Sequence, residues 1–255
     1  MKILLIAGHG AGDPGACGNG YKEADLTREM VKLIANNLKN YSVTVDTYNT
    51  NKNAFADVQK GAFKIGKYDY ALEIHFNAFD SASAHGSEIY VTTRESAISM
   101  EQGIMKKMNK YFTLRDNDSI FDGVKRTNFL VINTLKNMGI SGALLETCFI
   151  TNKNDMIVYQ SNKAAIAKDI ASAIATGFGL KKKAATPKVK AGSKVKIKAG
   201  AVYGGLSSTR GTKVSKYALE KVHTVSVIQK NKGIEEAKLK EINSWVATKY
   251  LQVTK

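Results

Sequence analysis

The sequence predicts an α/β protein with a twisted, mostly parallel sheet and helices on both faces, followed by a small C-terminal β-barrel. Over the first 180 residues, short apolar runs typical of buried strands alternate with stretches of helical periodicity. The composition then changes abruptly at a basic run that begins at Lys181. Beyond this run, several short β-like segments separated by glycine-containing turns indicate a separate β module.

The spacing of apolar residues predicts the first elements. Residues 3–7 are apolar throughout, which is typical of a strand buried on both faces, and a glycine-rich loop follows at 8–15. Between residues 23 and 38, apolar residues recur at helical spacing. Residues 42–48 alternate as a strand does, and residues 53–66 form a predicted helix that ends at Gly66.

The same alternation of strands and helices continues to the end of the first domain. Strands are predicted at residues 70–76 and 87–91, a helix at 96–112 and a short strand at 129–132. A longer apolar strand is predicted at 143–150. The last helix, at 163–178, carries isoleucines four positions apart.

We predict three segments: a catalytic domain at 1–180, a basic linker at 181–192 and a second domain at 193–255. The linker is polar, rich in lysine and contains Pro187. The predicted strands of the second domain lie at 194–198, 213–217, 222–229 and 245–247.

Positive charge is concentrated in the last third of the chain. The 255 residues have a formal net charge of +16, and residues 181–255 contain 18 Lys and Arg against 4 Asp and Glu. Such a segment attracts a polyanion, such as nucleic acid, an acidic membrane or a phosphate-containing wall polymer, although it can also be a plain solvated surface.

The hydrophobic fraction of 44% argues against a disordered chain. No stretch approaches the roughly 20 apolar residues of a membrane span.

Ionisable residues lie at the ends of three predicted strands. His9, His75 and Glu146 each follow or end an apolar run, and Glu23 opens the first predicted helix. In open α/β folds, ligands bind at the carboxyl edge of the sheet, so we expect these side chains to gather there. Two histidines and one glutamate are a ligand set of catalytic zinc, which keeps one position open for water.

The four residues divide by chemical role. His9, Glu23 and His75 fit the role of zinc ligands, and Glu146 fits that of the carboxylate that moves a proton. The apolar surroundings of Glu146 are expected to raise its pKa. Each residue also has a structural explanation: a histidine at a strand end is often a surface residue, Glu23 favours the helix dipole, and Glu146 could pair with a lysine.

Three motifs resemble those of the zinc-dependent N-acetylmuramoyl-L-alanine amidases of the Amidase_3 type. They occur in the family's order over roughly residues 1–180: AGHGAGDPGA at 7–16 with Glu23, EIHFNA at 73–78, and LLETCFITN at 144–152. The resemblance implies that His9, Glu23 and His75 bind Zn²⁺ and that Glu146 is the catalytic carboxylate. It also implies cleavage of the amide bond between N-acetylmuramic acid and L-alanine in peptidoglycan. Phe76, Phe79 and Cys148 depart from the family's pattern.

The second domain resembles, less specifically, an SH3-like cell-wall-binding domain. The similarity rests on residues 195–205, on the Arg210-Gly211 turn and on the closing segment 244–251. Candidate substrate-binding residues are Asn77 and His85 in the first domain and Tyr203 and Tyr217 in the second. Asn77 could equally have a plain turn role, His85 fits a loop residue near the cleft, and tyrosines can also fill a small barrel core.

A wall amidase with a basic binding module resembles a phage endolysin or a related autolysin. No secretory signal pattern is visible, so the expectation is synthesis in the host cytoplasm and holin-type release to the cell wall. The expected partners are peptidoglycan and anionic wall polymers, without nucleic acid and without membrane insertion. Two alternatives remain open: a zinc peptidase that cuts within the stem peptide, and a non-enzymatic protein that binds nucleic acid or cell wall through its basic tail.

Overall fold

The chain forms two compact units, Met1–Lys183 and Ala184–Lys255. The computed structural model describes residues 1–115, 123–184 and 187–254. The division lies close to the predicted change in composition.

The first unit is built on a six-stranded sheet. Its elements, in chain order, are β1 (Lys2–Ala7), β2 (Cys17–Gly18), β3 (Tyr21–Lys22), α1 (Glu23–Leu38), β4 (Thr44–Thr47), α2 (Ala54–Gln59), β5 (Tyr70–Asn77), β6 (Glu88–Val91), α3 (Ser99–Met108), β7 (Val124–Arg126), α4 (Leu130–Asn137), β8 (Ser141–Phe149) and α5 (Lys153–Gly177). The strand order in the main sheet is β4-β1-β5-β8-β6-β7. All neighbouring pairs are parallel except β6 with β8. The predicted α/β class with a mostly parallel sheet is confirmed.

Helices cover both faces of this sheet because its central strands are apolar on both sides. Within β1, Ile3 and Leu5 join the core that contains residues of α1, α3 and α5, whereas Leu4 and Ile6 join the core that contains residues of α2 and α4. This alternation is the period-two geometry of a strand. A strand buried on both faces carries a continuous apolar run, which explains why β1, β5 and β8 were predictable from sequence.

One predicted strand of the first unit is wrong. Phe129 is the N-cap of helix α4, and residues 130–132 are its first residues; Val131, Ile132 and Leu135 of this helix are buried. Val131 and Leu135 are four positions apart and face the same core, together with Leu4 and Ile6 of β1. A run of four apolar residues does not distinguish a strand from the first turn of a buried helix, and here the next turn decides the outcome.

Two of the helix boundaries that differ from the prediction have local explanations. Helix α2 ends at Gln59, and Gly61 then adopts a φ of 65°, a left-handed conformation that ends helices. Helix α5 begins at Lys153, ten residues before the predicted start, because the Asn152 side chain accepts a hydrogen bond from the Asp155 amide at 3.0 Å.

The second unit contains a five-stranded antiparallel sheet. Its elements are β9 (Lys194–Ile197), α6 (Lys216–Glu220), β10 (Val222–Asn231), β11 (Ile234–Leu239), β12 (Ser244–Ala247) and β13 (Leu251–Val253), and the strand order is β12-β11-β10-β9-β13. The strand predicted at 213–217 is wrong, because Ser215 caps helix α6 there. Strands β11 and β13 were not predicted. Closure of this sheet into an SH3-like barrel remains a prediction.

Within the described ranges, no helix is both long enough and apolar enough to cross a bilayer. Both cysteines are free thiols, with Cys17 exposed and Cys148 buried.

Candidate metal centre and cleft

The four candidate residues meet at the carboxyl edge of the first sheet. His9 lies two residues beyond β1, His75 is in β5 and Glu146 is in β8. Strands β1 and β8 both pair with β5, and His75 is directly opposite Glu146 in the register. Glu23 approaches from the first residue of α1. The parallel topology therefore brings together residues that are far apart in sequence.

Glu23 lies between the two histidines. Its Oε2 atom is 3.0 Å from Nε2 of His9, and its Oε1 atom is 2.9 Å from Nδ1 of His75. His9, Glu23 and His75 each offer one atom that can bind a metal ion, and these three atoms lie within 4.8 Å of one another. The carboxylate is 3% exposed and also accepts hydrogen bonds from the backbone amides of Ala16 and Phe76, each at 3.0 Å.

The electrostatics of this cluster favour an anionic Glu23. Burial alone would raise the pKa of Glu23, but hydrogen bonds from His75 and His9 lower it below its ordinary range. Burial alone would lower the pKa of both histidines, but their hydrogen bonds to Glu23 raise it. A buried carboxylate flanked by two imidazoles is thus suited to binding a cation in place of the imidazole protons.

Each histidine has a second carboxylate on its other ring nitrogen. Asp13 Oδ2 lies 2.8 Å from His9 Nδ1, and Glu73 Oε1 lies 3.3 Å from His75 Nε2. Asp13 is itself held by the Asn53 side-chain amide at 3.0 Å. Histidines that bind metals commonly use their second nitrogen in this way, which fixes the orientation of the ring. The residues present therefore fit a zinc ion.

A close backbone approach makes room for the His75 ring. A Cβ atom on Gly8 would lie 2.3 Å from Cε1 of His75, so no larger residue fits at this position. The Gly8 amide also donates to the Ile74 carbonyl at 3.0 Å, which ties the loop after β1 to strand β5. The loop and the strand thus hold both histidines close together.

Glu146 is half-buried, and one of its two carboxylate oxygens lies in the protein interior. Its Oε2 atom is inaccessible to solvent and makes no hydrogen bond with any described residue. Burial raises the pKa of Glu146 to about 7. A carboxylate with this pKa can accept and release a proton near neutral pH, which is the property that general acid–base chemistry needs.

The cluster opens into a cleft of about 340 Å³. Its lining combines ionisable groups with apolar walls: His9, Asp13, Phe55, Glu73, His75, Phe129, Leu130, Val131, Leu144 and Glu146. Phe55 and Phe129 are 49% and 40% exposed, so their rings are accessible. The cleft can therefore bind a ligand that presents apolar groups beside a polar reacting bond.

The two other candidate residues of the first unit, Asn77 and His85, do not line this cleft. The Asn77 side chain donates to Glu88 Oε1 at 2.6 Å, and the register between β5 and β8 shifts between His75 and Asn77. His85 is exposed and hydrogen-bonds the Ser83 carbonyl at 2.9 Å. Neither residue lines the cleft, and their role in substrate binding remains a prediction.

Tyr203 and Tyr217 belong to the second unit and differ in exposure. Tyr203 packs against the core of that unit, whereas Tyr217 is 62% exposed with the Lys221 ammonium 3.9 Å from its ring centroid. Of the two, Tyr217 is the more accessible to a ligand.

Sequence reasoning missed the residues that support the histidines. Glu73 precedes His75 by two positions in a strand, so the shared face was a usable signal. Asn53 precedes helix α2, where its capping of the Ala56 amide at 3.1 Å is the ordinary role of an asparagine. Its bond to Asp13 depends on the fold and had no sequence signal.

Comparison with known proteins gives a family for the first unit. The family model described as N-acetylmuramoyl-L-alanine amidase (Amidase_3) matches residues 3–176. The chain is 34% identical over 175 residues to the N-acetylmuramoyl-L-alanine amidase LytC of Bacillus subtilis, covering 67% of this chain and 33% of LytC. It is 29% identical over 192 residues to an endolysin of Bacillus phage SPP1, covering 71% of this chain and 67% of the endolysin.

A solved amidase structure has a fold similar to that of this chain. An N-acetylmuramoyl-L-alanine amidase from Clostridium difficile 630 matches with a TM-score of 0.55 and 21% identity, covering 70% of this chain and 96% of that one. The matched part of the chain spans 38% and 33% of the length of two of the curated relatives.

Proposed function

The chain belongs to the N-acetylmuramoyl-L-alanine amidase family, and from this membership we propose that it hydrolyses the amide bond between N-acetylmuramic acid and L-alanine in peptidoglycan. The observation that carries the proposal is the cluster of His9, Glu23 and His75 beside the half-buried carboxylate of Glu146. Metal-binding donors next to a carboxylate of raised pKa suit the hydrolysis of an unactivated amide.

We propose that His9, Glu23 and His75 bind Zn²⁺. Two imidazoles and one carboxylate form a three-ligand set that leaves one position open. The carboxylates of Asp13 and Glu73, on the second nitrogens of the two histidines, support this assignment. A zinc ion held there supplies a Lewis acid for the carbonyl and lowers the pKa of water to about 7.

Glu146 moves the proton in this proposal. As a carboxylate, it accepts the proton that the attacking water loses while the water oxygen bonds to the carbonyl carbon. It then donates that proton to the nitrogen of L-alanine as the carbon–nitrogen bond breaks. Because burial raises its pKa to about 7, Glu146 can take both protonation states near neutral pH.

The apolar walls of the cleft position the substrate in this proposal. Phe55, Phe129 and Leu144 line the cleft beside the ionisable groups. The methyl groups of lactate and alanine, and the apolar face of the sugar ring, are suited to pack against such side chains. Burial of these substrate groups also removes water from around the amide bond, which strengthens the electrostatic interactions of the protein with that bond.

Digestion of purified peptidoglycan tests this function. We expect mass spectrometry to find free muramoyl carboxyl groups and peptides that begin with L-alanine, because only the amide bond at that junction is cut. A chelator should stop the release, and added zinc should restore it.

New amino termini elsewhere in the stem peptide would instead support the zinc peptidase alternative. Failure of the zinc-loaded protein to release any product would contradict an enzymatic role.

We propose that the biological outcome is lysis of bacterial cell walls, as by an endolysin or autolysin. The similarity to a protein named as an endolysin, over 67% of its length, supports this context. Synthesis in the host cytoplasm and holin-type release remain predictions.

We also propose that the second unit is an SH3-like domain that binds the cell wall. Its five-stranded antiparallel sheet and the excess of 18 Lys and Arg over 4 Asp and Glu in residues 181–255 support a small β module that attracts anionic polymers. Attachment to the wall would raise the effective concentration of the catalytic unit there.

Wall binding is expected to decrease strongly when the chain is shortened to end at Lys183. Sedimentation with purified walls measures the bound fraction of the full and shortened chains, and increasing salt should release the full chain if charge contributes. Equal binding by both chains would contradict the proposal. Salt-sensitive binding of DNA without binding of walls would favour the nucleic-acid alternative.

A further inference from the structure

Arg28 connects three separate segments near the metal centre. It lies on α1, and its guanidinium donates to backbone carbonyls of the loop after β1: Nη1 to Gly8 at 3.0 Å and Nη2 to His9 at 2.9 Å. It also donates to the loop after β4: Nε to Thr50 at 2.9 Å and Nη2 to Lys52 at 3.2 Å. Nη1 further donates to the Ala24 carbonyl of its own helix at 2.9 Å.

The first set of bonds holds the backbone of His9 in an unfavourable conformation. His9 has a φ of 61°, in the left-handed region that residues other than glycine rarely adopt. Among the described residues, its carbonyl accepts a hydrogen bond only from Arg28. A Cβ atom on the next residue, Gly10, would lie 1.8 Å from Nη2 of Arg28, so this loop is shaped around the guanidinium.

The bonds from Arg28 to Thr50 and Lys52 support the His9 side chain indirectly. The loop held at Thr50 and Lys52 continues into Asn53, whose side-chain amide donates to Asp13 Oδ2 at 3.0 Å. The same oxygen of Asp13 lies 2.8 Å from Nδ1 of His9. Arg28 therefore supports both the backbone of His9 and the orientation of its ring, which directs Nε2 toward Glu23 at 3.0 Å.

No other side chain can make this set of contacts. An arginine presents five N–H donors in a rigid planar fork, whereas a lysine presents three on a single nitrogen. Here all three guanidinium nitrogens donate to the two loops, which ties both loops to the helix that carries Arg28. A lysine would therefore keep the charge but lose most of the bridging bonds.

We propose that Arg28 is a positioning residue for the zinc site, acting through His9. The inference rests on the proposed function, since it assumes that His9 is a zinc ligand. Loss of a group that orients a metal ligand costs roughly 10- to 100-fold in metal affinity or activity. Arg28→Gln should therefore weaken zinc binding by about tenfold or more, and Arg28→Lys should give an intermediate loss.

The test measures zinc affinity separately from catalysis. Chelator competition gives the zinc dissociation constant of the full chain and of the Arg28→Gln, Arg28→Lys and Lys32→Gln variants. Lys32 is an exposed cation on the same helix and serves as the matched control. The absorption spectrum of the cobalt-substituted proteins reports ligand geometry, and thermal unfolding reports stability.

A specific role in positioning is supported if both Arg28 variants bind zinc more weakly than Lys32→Gln and show an altered cobalt spectrum. Their kcat/KM should then recover when zinc is in excess. The inference is overturned if zinc affinity and spectrum match those of Lys32→Gln, whatever the change in thermal stability. If Arg28→Gln does not fold, the comparison of Arg28→Lys with Lys32→Gln decides. A wild-type chain that binds no zinc would instead overturn the proposed function itself.

Discussion

Replacing Glu146 by Gln is expected to abolish most amidase activity while zinc remains bound. The amide has nearly the same volume as the carboxylate but cannot accept the proton of the attacking water. General acid–base catalysis contributes about 10²- to 10⁴-fold, so kcat should fall by at least about a hundredfold. Rates on purified walls and zinc content by elemental analysis would be measured on the same protein samples.

A matched control for this variant is Asp25→Asn. Asp25 is an exposed carboxylate on helix α1 and does not line the cleft, so this change should leave rate and zinc content as in the wild type. Lysis at the wild-type rate by Glu146→Gln would show that another group moves the proton. Glu73, which is 2% exposed and lines the same cleft, would be the next residue to test.

Replacing His75 by Ala is expected to remove both zinc and activity. The change deletes one of three proposed ligands, and it leaves Glu23 and Glu73 without the imidazole that lies between them. Zinc affinity should therefore fall by more than the roughly 10- to 100-fold that loss of a supporting partner costs. Elemental analysis after dialysis and chelator competition measure this loss.

His85→Ala is the matched histidine control for metal binding. His85 is exposed, lies outside the cleft and contacts the carbonyl of Ser83, so its removal should leave the zinc content unchanged. Full zinc in the His75→Ala protein would remove His75 from the set of ligands. The same result for His9→Ala would remove His9.

The elements that were predicted correctly share one property: the apolar pattern that buries them lies within their own residues. Strands β1, β5 and β8 are apolar over most of their length, and helix α1 has an apolar stripe along one face. Strand β11 was missed because its first residues include Glu235 and Glu236. Glu236 is nevertheless 3% exposed, since its carboxylate accepts a hydrogen bond from the amide of Gly205 at 2.8 Å. This contact spans 31 residues and leaves no pattern in either segment.

By itself, the sequence determined the α/β class, the family and the four ionisable residues of the candidate site, because apolar runs and motifs are properties of neighbouring residues. The tertiary structure alone decided how His9 is supported. The bond of Asn53 to Asp13 and the bonds of Arg28 to the loops after β1 and β4 depend on loop conformation. Packing between distant segments produces the φ of 61° at His9 and brings its carbonyl to the Arg28 guanidinium. Local sequence patterns therefore cannot encode them.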